Sequence, residues 1–261
     1  MIKKEINLSN KNTLISIIMP SYNSGDYIRY AIKSVLAQTY ENWELIIVDN
    51  KSTDNTIKIV NEYLFSNKRI KLIKSLKNRG PGFARNKGIR HSKGNYIGFL
   101  DSDDFWDSEF LERLIKFSII NSYYFVYCPY YIYSEGKSKL NKVLPYANVP
   151  NILKCNPLSC LGVLIKKENL IYEFNISFNT HEDIDLWIRI ISDNGSAHRY
   201  NKPLAYYRQR KRSLSSNKLV NAIHRWIFLR KIMKFNFFKT IFYFLSYLSY
   251  GINKYFLKKL I

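Results

Sequence analysis

Two apolar rhythms alternate from Leu14 onward. Nearly continuous apolar runs of strand length occupy Leu14–Pro20, Trp43–Val48 and Tyr96–Leu100. Between them, apolar residues recur every three or four positions. In "GDYIRYAIKSVLAQT" they fall at Tyr27, Ile28, Ala31, Ile32, Val35 and Leu36. That period places one face of an α-helix in a core, whereas a short unbroken run suits a strand buried on both faces. "STDNTIKIVNEYLF" opens on Ser52, Thr53 and Asp54, which can cap a helix N-terminus, and continues in helical register. "RIKLIKS" reads as a third, more polar strand. "GPGFARNKGIRHS" reads as a turn into a helix, and "NYIGFL" as the fourth strand. Strand and helix repeat at roughly 25-residue spacing, which predicts a parallel, doubly wound α/β sheet. Such sheets take ligands outside the carboxyl ends of their strands. Pro20-Ser21-Tyr22-Asn23, Asp49-Asn50 and Asp101–Asp104 are all expected on that rim.

Past Glu109 the pattern predicts a helix to about Asn121, a Tyr-rich strand over Tyr123–Tyr133, a polar loop over Ser134–Lys142 and a strand at Cys160–Lys167. A helix then opens on Glu182, Asp183 and Asp185, with Ile184, Trp187, Ile188 and Ile191 as its apolar face. A short strand and basic loop follow over Lys202–Ser216, and from Asn217 the chain reads as helical, apolar and basic. The expected organisation is an extension at 1–13, one domain over 14–216 and a helical tail over 217–261.

Charge sharpens this division. The 261 residues carry a net charge of +21, yet residues 1–193 hold only +6 of it, 26 basic against 20 acidic. No acidic residue follows Asp193, while 15 Lys or Arg do. A basic nucleic-acid-binding protein is disfavoured, because the charge concentrates in an aromatic tail and no nucleic-acid motif is present. The longest uncharged stretch of the tail, Thr240–Asn253, has 14 residues, and a spanning helix needs about 20. Aromatic rings interleaved with Lys and Arg suit a helix lying on an anionic membrane. The alternatives are packing on the preceding domain or a homodimer contact. Three cysteines without ligand spacing, and no apolar run behind the basic N-terminus, suit a cytoplasmic protein with reduced thiols.

The candidate chemistry lies in "YIGFLDSDDFW", where a buried strand ends in Asp101, Asp103 and Asp104. Carboxylates this close repel one another and are costly to desolvate, so a nearby Arg or Lys, or a bound cation, must compensate them. A capped strand end with solvated acids is the plainer alternative. For Glu182 and Asp183 the plainer reading is acids complementing a helix dipole, and Asp185 is assigned to it.

Taken together, "PSYN" (20–23), "AIKSVLAQTYENWELIIVDN" (31–50), "STDNT" (52–56), "NRGPGFARNKG" (78–88), "GNYIGFLDSDD" (94–104), "HEDIDLWIRI" (181–190) and "PLAYYRQRKRSLS" (203–215) resemble the inverting glycosyltransferases of family 2. The resemblance covers about Leu14 to Ser215. It implies a GT-A fold: a Rossmann-like, mostly parallel sheet flanked by helices, here with the basic, aromatic tail appended. It implies a hexosyl- or N-acetylhexosaminyl-transferase that moves sugar from a nucleotide-sugar donor, a UDP-sugar by preference, to a glycan or lipid-linked glycan. Bacterial surface polysaccharide, lipopolysaccharide or capsule, made at the inner face of the membrane, is the implied context. Asp101-Ser102-Asp103 matches the family's Asp-x-Asp motif. Asp103, with Asp101, would then hold Mn or Mg, hard cations that favour oxygen ligands, and Asp101 would also reach ribose or base. Pro20, Tyr22, Asp49, Asn50, Asn78, Arg85 and Ser102 would line the nucleotide pocket, with Arg85 also able to pair the acidic cluster. Asp183 would be the catalytic base beside Glu182, and His181 would touch the acceptor. Two departures stand out. The family's "VDDGSTD" is "VDNKSTD" here, placing Asn50 and Lys51 where Asp and Gly are usual; an Asp at 50 is expected to be tolerated. The "YR-x-H" pattern ends in Arg210, which can hold phosphate but not ligate a metal as His can, so Arg208 and Arg210, with Lys211 and Arg212, would grip the diphosphate or an anionic acceptor, the plainer alternative being a solvated basic loop. Asn50 and Lys51 prompt the alternative of a nucleotide-sugar-binding protein without transfer activity.

Overall fold

A computed structural model describes residues 13–177, 181–210 and 218–256 of the chain. The extension at 1–12, and Lys211 and Arg212, lie outside them. In chain order the elements are β1 (Ile15–Ser21), α1 (Ile28–Leu36), β2 (Trp43–Asp49), α2 (Thr56–Ser66), β3 (Ile70–Lys74), α3 (Gly80–His91), β4 (Tyr96–Phe99), β5 (Phe105–Trp106) and α4 (Phe110–Ile120). Then come β6 (Phe125–Tyr127), β7 (Tyr130–Ser134), β8 (Lys137–Asn141), β9 (Tyr146–Ala147), α5 (Val149–Cys155), β10 (Val163–Lys166), α6 (Glu182–Asn194), β11 (Ala197–Arg199), β12 (Ala205–Arg208), α7 (Lys218–Ile227) and α8 (Phe237–Phe256).

Among the described residues the main sheet runs β3-β2-β1-β4-β10-β6-β11-β9. Its first four strands are parallel, as the alternating pattern requires. β1 and β2 are buried along their whole length, with helices on both faces, which is why they read as unbroken apolar runs. β10 enters antiparallel between β4 and β6, so the sheet is largely but not purely parallel. The carboxyl ends of β1, β2 and β4 share one rim, which places Ser21, Asp49 and Asp101 on a common edge.

The predicted Tyr123–Tyr133 strand is two strands in two sheets. Pro129 has no N–H to give a ladder, and the chain breaks there. β6 stays in the main sheet, while β7 joins a second sheet ordered β5-β12-β7-β8. The predicted polar loop is a hairpin instead. Glu135 and Gly136 both take positive φ, 49° and 78°, and form a two-residue turn that pairs Ser134 with Lys137. The second sheet carries β12 alongside β5, directly after the acidic turn, and so brings Arg208 to the rim.

The tail is helical as predicted, but it is not a detached appendage. Phe228 and Leu229 sit in the same apolar core as Ile184, Trp187, Ile188 and Ile191 of α6. α8 lies against α5, with Thr240 fully buried and Phe244 packed on the core.

Candidate active site

The acidic turn follows β4 immediately. The Asp104 N–H donates to the Asp101 carbonyl at 3.0 Å, closing the turn. Ser102 Oγ lies 2.7 Å from Ser24 Oγ in the β1–α1 loop, tying the turn to the next strand end. Arginines from two directions compensate the carboxylates. Arg85 Nη2 meets Asp101 Oδ1 at 2.7 Å, and Arg210 Nη2 meets Asp103 Oδ2 at 2.6 Å. The backbone N–H of Arg208 donates to Asp104 Oδ1 at 2.8 Å, and its Nε–H to the Asp103 carbonyl at 2.9 Å. Burial, reinforced by the neighbouring acids, still lifts the Asp103 and Asp104 carboxyls above the ordinary range. The Arg208 guanidinium is caged by rings, 5.1 Å from Tyr133, 5.3 Å from Tyr30 and Phe105, and 5.5 Å from Tyr27. Phe105 was visible next to the acids in the sequence. Tyr27, Tyr30 and Tyr133 are assembled only by the fold, and sequence reading missed them.

Arg85 joins this turn to the start of α6. Gly88 lets α3 lie close on β1: a Cβ there would fall 2.4 Å from Ile18 Cγ2. One turn earlier, Arg85 is therefore held inward, 5% exposed. Its Nη1 reaches Glu182 Oε1 at 3.2 Å while Nη2 holds Asp101. The neighbouring Asn86 pins the chain at Phe174, donating to its carbonyl at 2.8 Å and accepting from its N–H at 2.7 Å. Phe174 in turn presents its ring to the Arg85 guanidinium at 5.4 Å. Of the two roles open to Arg85 in the sequence, the ion pair is the one this geometry displays.

Glu182 and Asp183 differ in setting. Glu182 is buried against Arg85, and its carboxyl is pushed up to about 7 by burial and by Asp183. Asp183 is half-buried. Its carboxyl is raised by burial, with Arg85 pulling the other way. Asp185 pairs with Arg189 one turn on, at 2.7 Å, in keeping with a structural role. His181 precedes them with a left-handed backbone, φ 66°, and its ring stacks on Phe228 of the tail at 6.0 Å. Burial draws its pKa down to about 4.

The remaining rim residues form a wall across β1 and β2. Pro20 pairs with Val48 within the sheet, and Tyr22 stands exposed beyond the end of β1. Both oxygens of Asp49 are engaged by Ser52, through its N–H at 3.0 Å and its hydroxyl at 2.5 Å. Asn50 Nδ2 donates to Asn78 Oδ1 at 3.0 Å and to the Gly80 carbonyl at 2.9 Å. Its own Oδ1 is buried without a partner. Lys51 adopts φ 70°, a conformation that glycine takes at no steric cost. Of the site residues predicted from the sequence, those within the described residues lie on this rim, on the adjoining acidic turn, on α3, at the start of α6 or at the end of β12.

The acidic turn also suits a hard cation. Arg85 takes one oxygen of Asp101 and Arg210 one of Asp103, and no other side chain among the described residues takes the second oxygen of either. Among the described residues no group of three or more His, Cys, Asp or Glu closes on a point as a full ligand set. Two carboxylates completed by phosphate and water are a usual arrangement for Mg²⁺.

Residues 16–237 match the sequence profile of Glycosyl transferase family 2. An Escherichia coli protein, UDP-Glc:alpha-D-GlcNAc-diphosphoundecaprenol beta-1,3-glucosyltransferase WfgD, is 38% identical over 243 residues, 92% of this chain and 94% of its own. Two solved structures share the fold. TarS 1–349 of S. aureus in complex with UDP-GlcNAc has a TM-score of 0.66 at 20% identity, covering 90% of this chain and 71% of that one. The mannosyltransferase PcManGT of Pyrobaculum calidifontis, with GDP-Man and Mn²⁺, has a TM-score of 0.67 at 19% identity, covering 90% and 69%.

Proposed function

The chain belongs to glycosyl transferase family 2, and from that premise we propose that it transfers a hexosyl or N-acetylhexosaminyl group from a UDP-sugar to a hydroxyl of a lipid-linked glycan, with inversion, in bacterial surface-polysaccharide synthesis. The observation that carries the reading is the Arg85 bridge. It holds the Asp101–Asp104 turn against the start of α6, which supports a donor diphosphate site at that turn next to the half-buried carboxylate of Asp183. Inverting transfer displaces the nucleotide from one side of the anomeric carbon while the acceptor hydroxyl attacks from the other, and a base must take its proton. Asp183 takes that role. Glu182 is committed to Arg85 and supports it. Arg208 and Arg210 stand beside Asp103, where they can hold phosphate oxygens. Asp103 and Asp101 would hold Mn²⁺ or Mg²⁺, an ion that would supply positive charge for the leaving diphosphate. The unpartnered Oδ1 of Asn50 accepts the ring N–H of the base, in place of the family's Asp.

Lipid-linked acceptors require access to a membrane surface. Among the described residues no helix is long and apolar enough to span one. α7 and α8 expose Leu219, Ile223, Ile227, Phe238, Phe242 and Leu245, with Arg230, Lys231, Lys234 and Lys239 also exposed. That combination suits the inner, anionic leaflet. The test is turnover of a panel of UDP-, dTDP- and GDP-sugars with Mn²⁺ and a GlcNAc-diphospholipid acceptor. Selective use of a UDP-sugar supports the reading. Binding without turnover of any donor would favour the non-transferring alternative that Asn50 and Lys51 raise.

A further inference from the structure

Arg225 of α7 is a buried cation without a counter-ion at hand. It is 1% exposed. Its Nη2 donates to the Ile152 and Leu153 carbonyls, at 3.0 and 2.5 Å, and so caps the last turn of α5. Nε and Nη1 are buried without hydrogen-bond partners, the guanidinium lies 5.6 Å from the Phe228 ring and 5.4 Å from the Tyr247 ring, and among the described residues no carboxylate lies within ion-pair distance. Burying an unpaired charge costs several kcal/mol, and apolar side chains of similar size would pack at this position without that cost. One turn on, Phe228 stacks against His181, whose left-handed backbone sets the first turn of α6. A π-helical turn, Phe228–Ile232, follows directly, a distortion frequent at functional sites. The tail thus touches the chain two residues before Asp183, and its buried guanidinium is near enough to interact electrostatically with that carboxyl.

We propose that Arg225 is a positioning residue for the base: docked by α7, it presses Phe228 against His181 and supplies a positive field behind Asp183. This rests on the assignment of Asp183 as base. The charged and titratable groups around Asp183 come from five places: Arg85 on α3, Glu182 on α6, Asp101 after β4, Cys160 and Tyr130 on the far side, and Arg225 on the tail. Among the described residues of the tail, Arg225 is the buried cation, and burial has drawn its own pKa down to about 10. The consequence is that catalysis depends on a segment beyond residue 216, where the sequence shows no catalytic motif.

Arg225→Met and Arg225→Lys test it. The Met variant removes a buried charge but also the two bonds to the Ile152 and Leu153 carbonyls, so its Tm is measured beside its rate, and its UDP affinity should stay within twofold of wild type. Its kcat for transfer should fall at least tenfold, and the acid limb of the kcat profile should move to higher pH. The Lys variant should regain most of the rate. The Asp183 carboxyl, followed by ¹³C NMR and assigned with Asp183→Asn, should titrate at higher pH in the Met variant. An unchanged titration overturns the inference whether or not transfer is observed. So does a kcat within threefold of wild type, or a loss that merely follows Tm in both variants. A wild type that transfers nothing, with the titration shift present, would instead count against the proposed function alone.

Discussion

Replacing Asn50 by Asp restores the residue usual in the family, and the sequence alone suggests it would be harmless. The structure reverses that expectation. Asn50 is 3% exposed, and its Nδ2 donates to two acceptors, Asn78 Oδ1 and the Gly80 carbonyl. A carboxylate has no donor to offer and would bring a charged oxygen against both. Each lost bond costs about 0.5–1.5 kcal/mol, and each buried group left unpaired about 1–3 kcal/mol. Rotating the Asn78 amide would present its NH₂ to the new carboxylate, but Asn78 Oδ1 also accepts the Gly80 N–H at 3.0 Å, and that bond would break. One of the two deficits therefore survives any local repair. The net loss should be about 2–4 kcal/mol of an overall stability of about 5–15 kcal/mol. Urea denaturation measures it as a lower midpoint with an unchanged slope. The sign of the pH dependence follows from the same contacts. Burial and two facing carbonyls raise the new carboxyl above the ordinary value of about 3.9. The variant's deficit should be largest at neutral pH and shrink as pH falls through that raised pKa, when an O–H becomes available to donate. A variant within about 0.5 kcal/mol of wild type at neutral pH, a change no larger than an ordinary surface substitution gives, would refute the reasoning.

Three further outcomes are expected. Asp103→Ala should abolish Mn²⁺-dependent UDP binding in calorimetry, and unchanged affinity would remove the metal from the acidic turn. Asp183→Asn should keep donor affinity and lose about 10²–10⁴-fold in transfer rate, with Glu182→Gln losing less; the reverse order would move the base to Glu182. Phe238→Ser with Phe242→Ser, both at exposed positions, should leave Tm unchanged and weaken sedimentation with vesicles. High salt should weaken the charge-driven part of that binding and spare the aromatic part, and full binding by the double variant would place the membrane contact elsewhere.

The parallel half of the fold was legible because its strands are buried on both faces and its helices carry an uninterrupted apolar stripe. The same pattern is enough to put Ser21, Asp49 and Asp101 on one rim. The antiparallel half was harder to read. β5, β9 and β11 are two or three residues long, too short to show a period, and the β7–β8 hairpin is built from polar residues whose pairing comes from a turn rather than from burial. The acids were legible as a cluster at a strand end, but their partners were not all legible. Arg85 and Arg210 lie near motif positions, whereas the rings around Arg208 come from α1, β5 and β7 and share no sequence signal. The tail was legible only in part, for a physical reason. Its exposed aromatic residues and its buried Phe228, Leu229 and Arg225 alternate within the same helices, so composition suggested a surface segment while one face was completing the core.

The central claim is inverting transfer with Asp183 as base. It is tested most directly by incubating an α-linked UDP-sugar with a GlcNAc-diphospholipid and reading the new anomeric configuration by NMR, for wild type and Asp183→Asn side by side. The account predicts a β-linked product from wild type and almost none from the variant. An α-linked product, or equal product from both proteins, would contradict it.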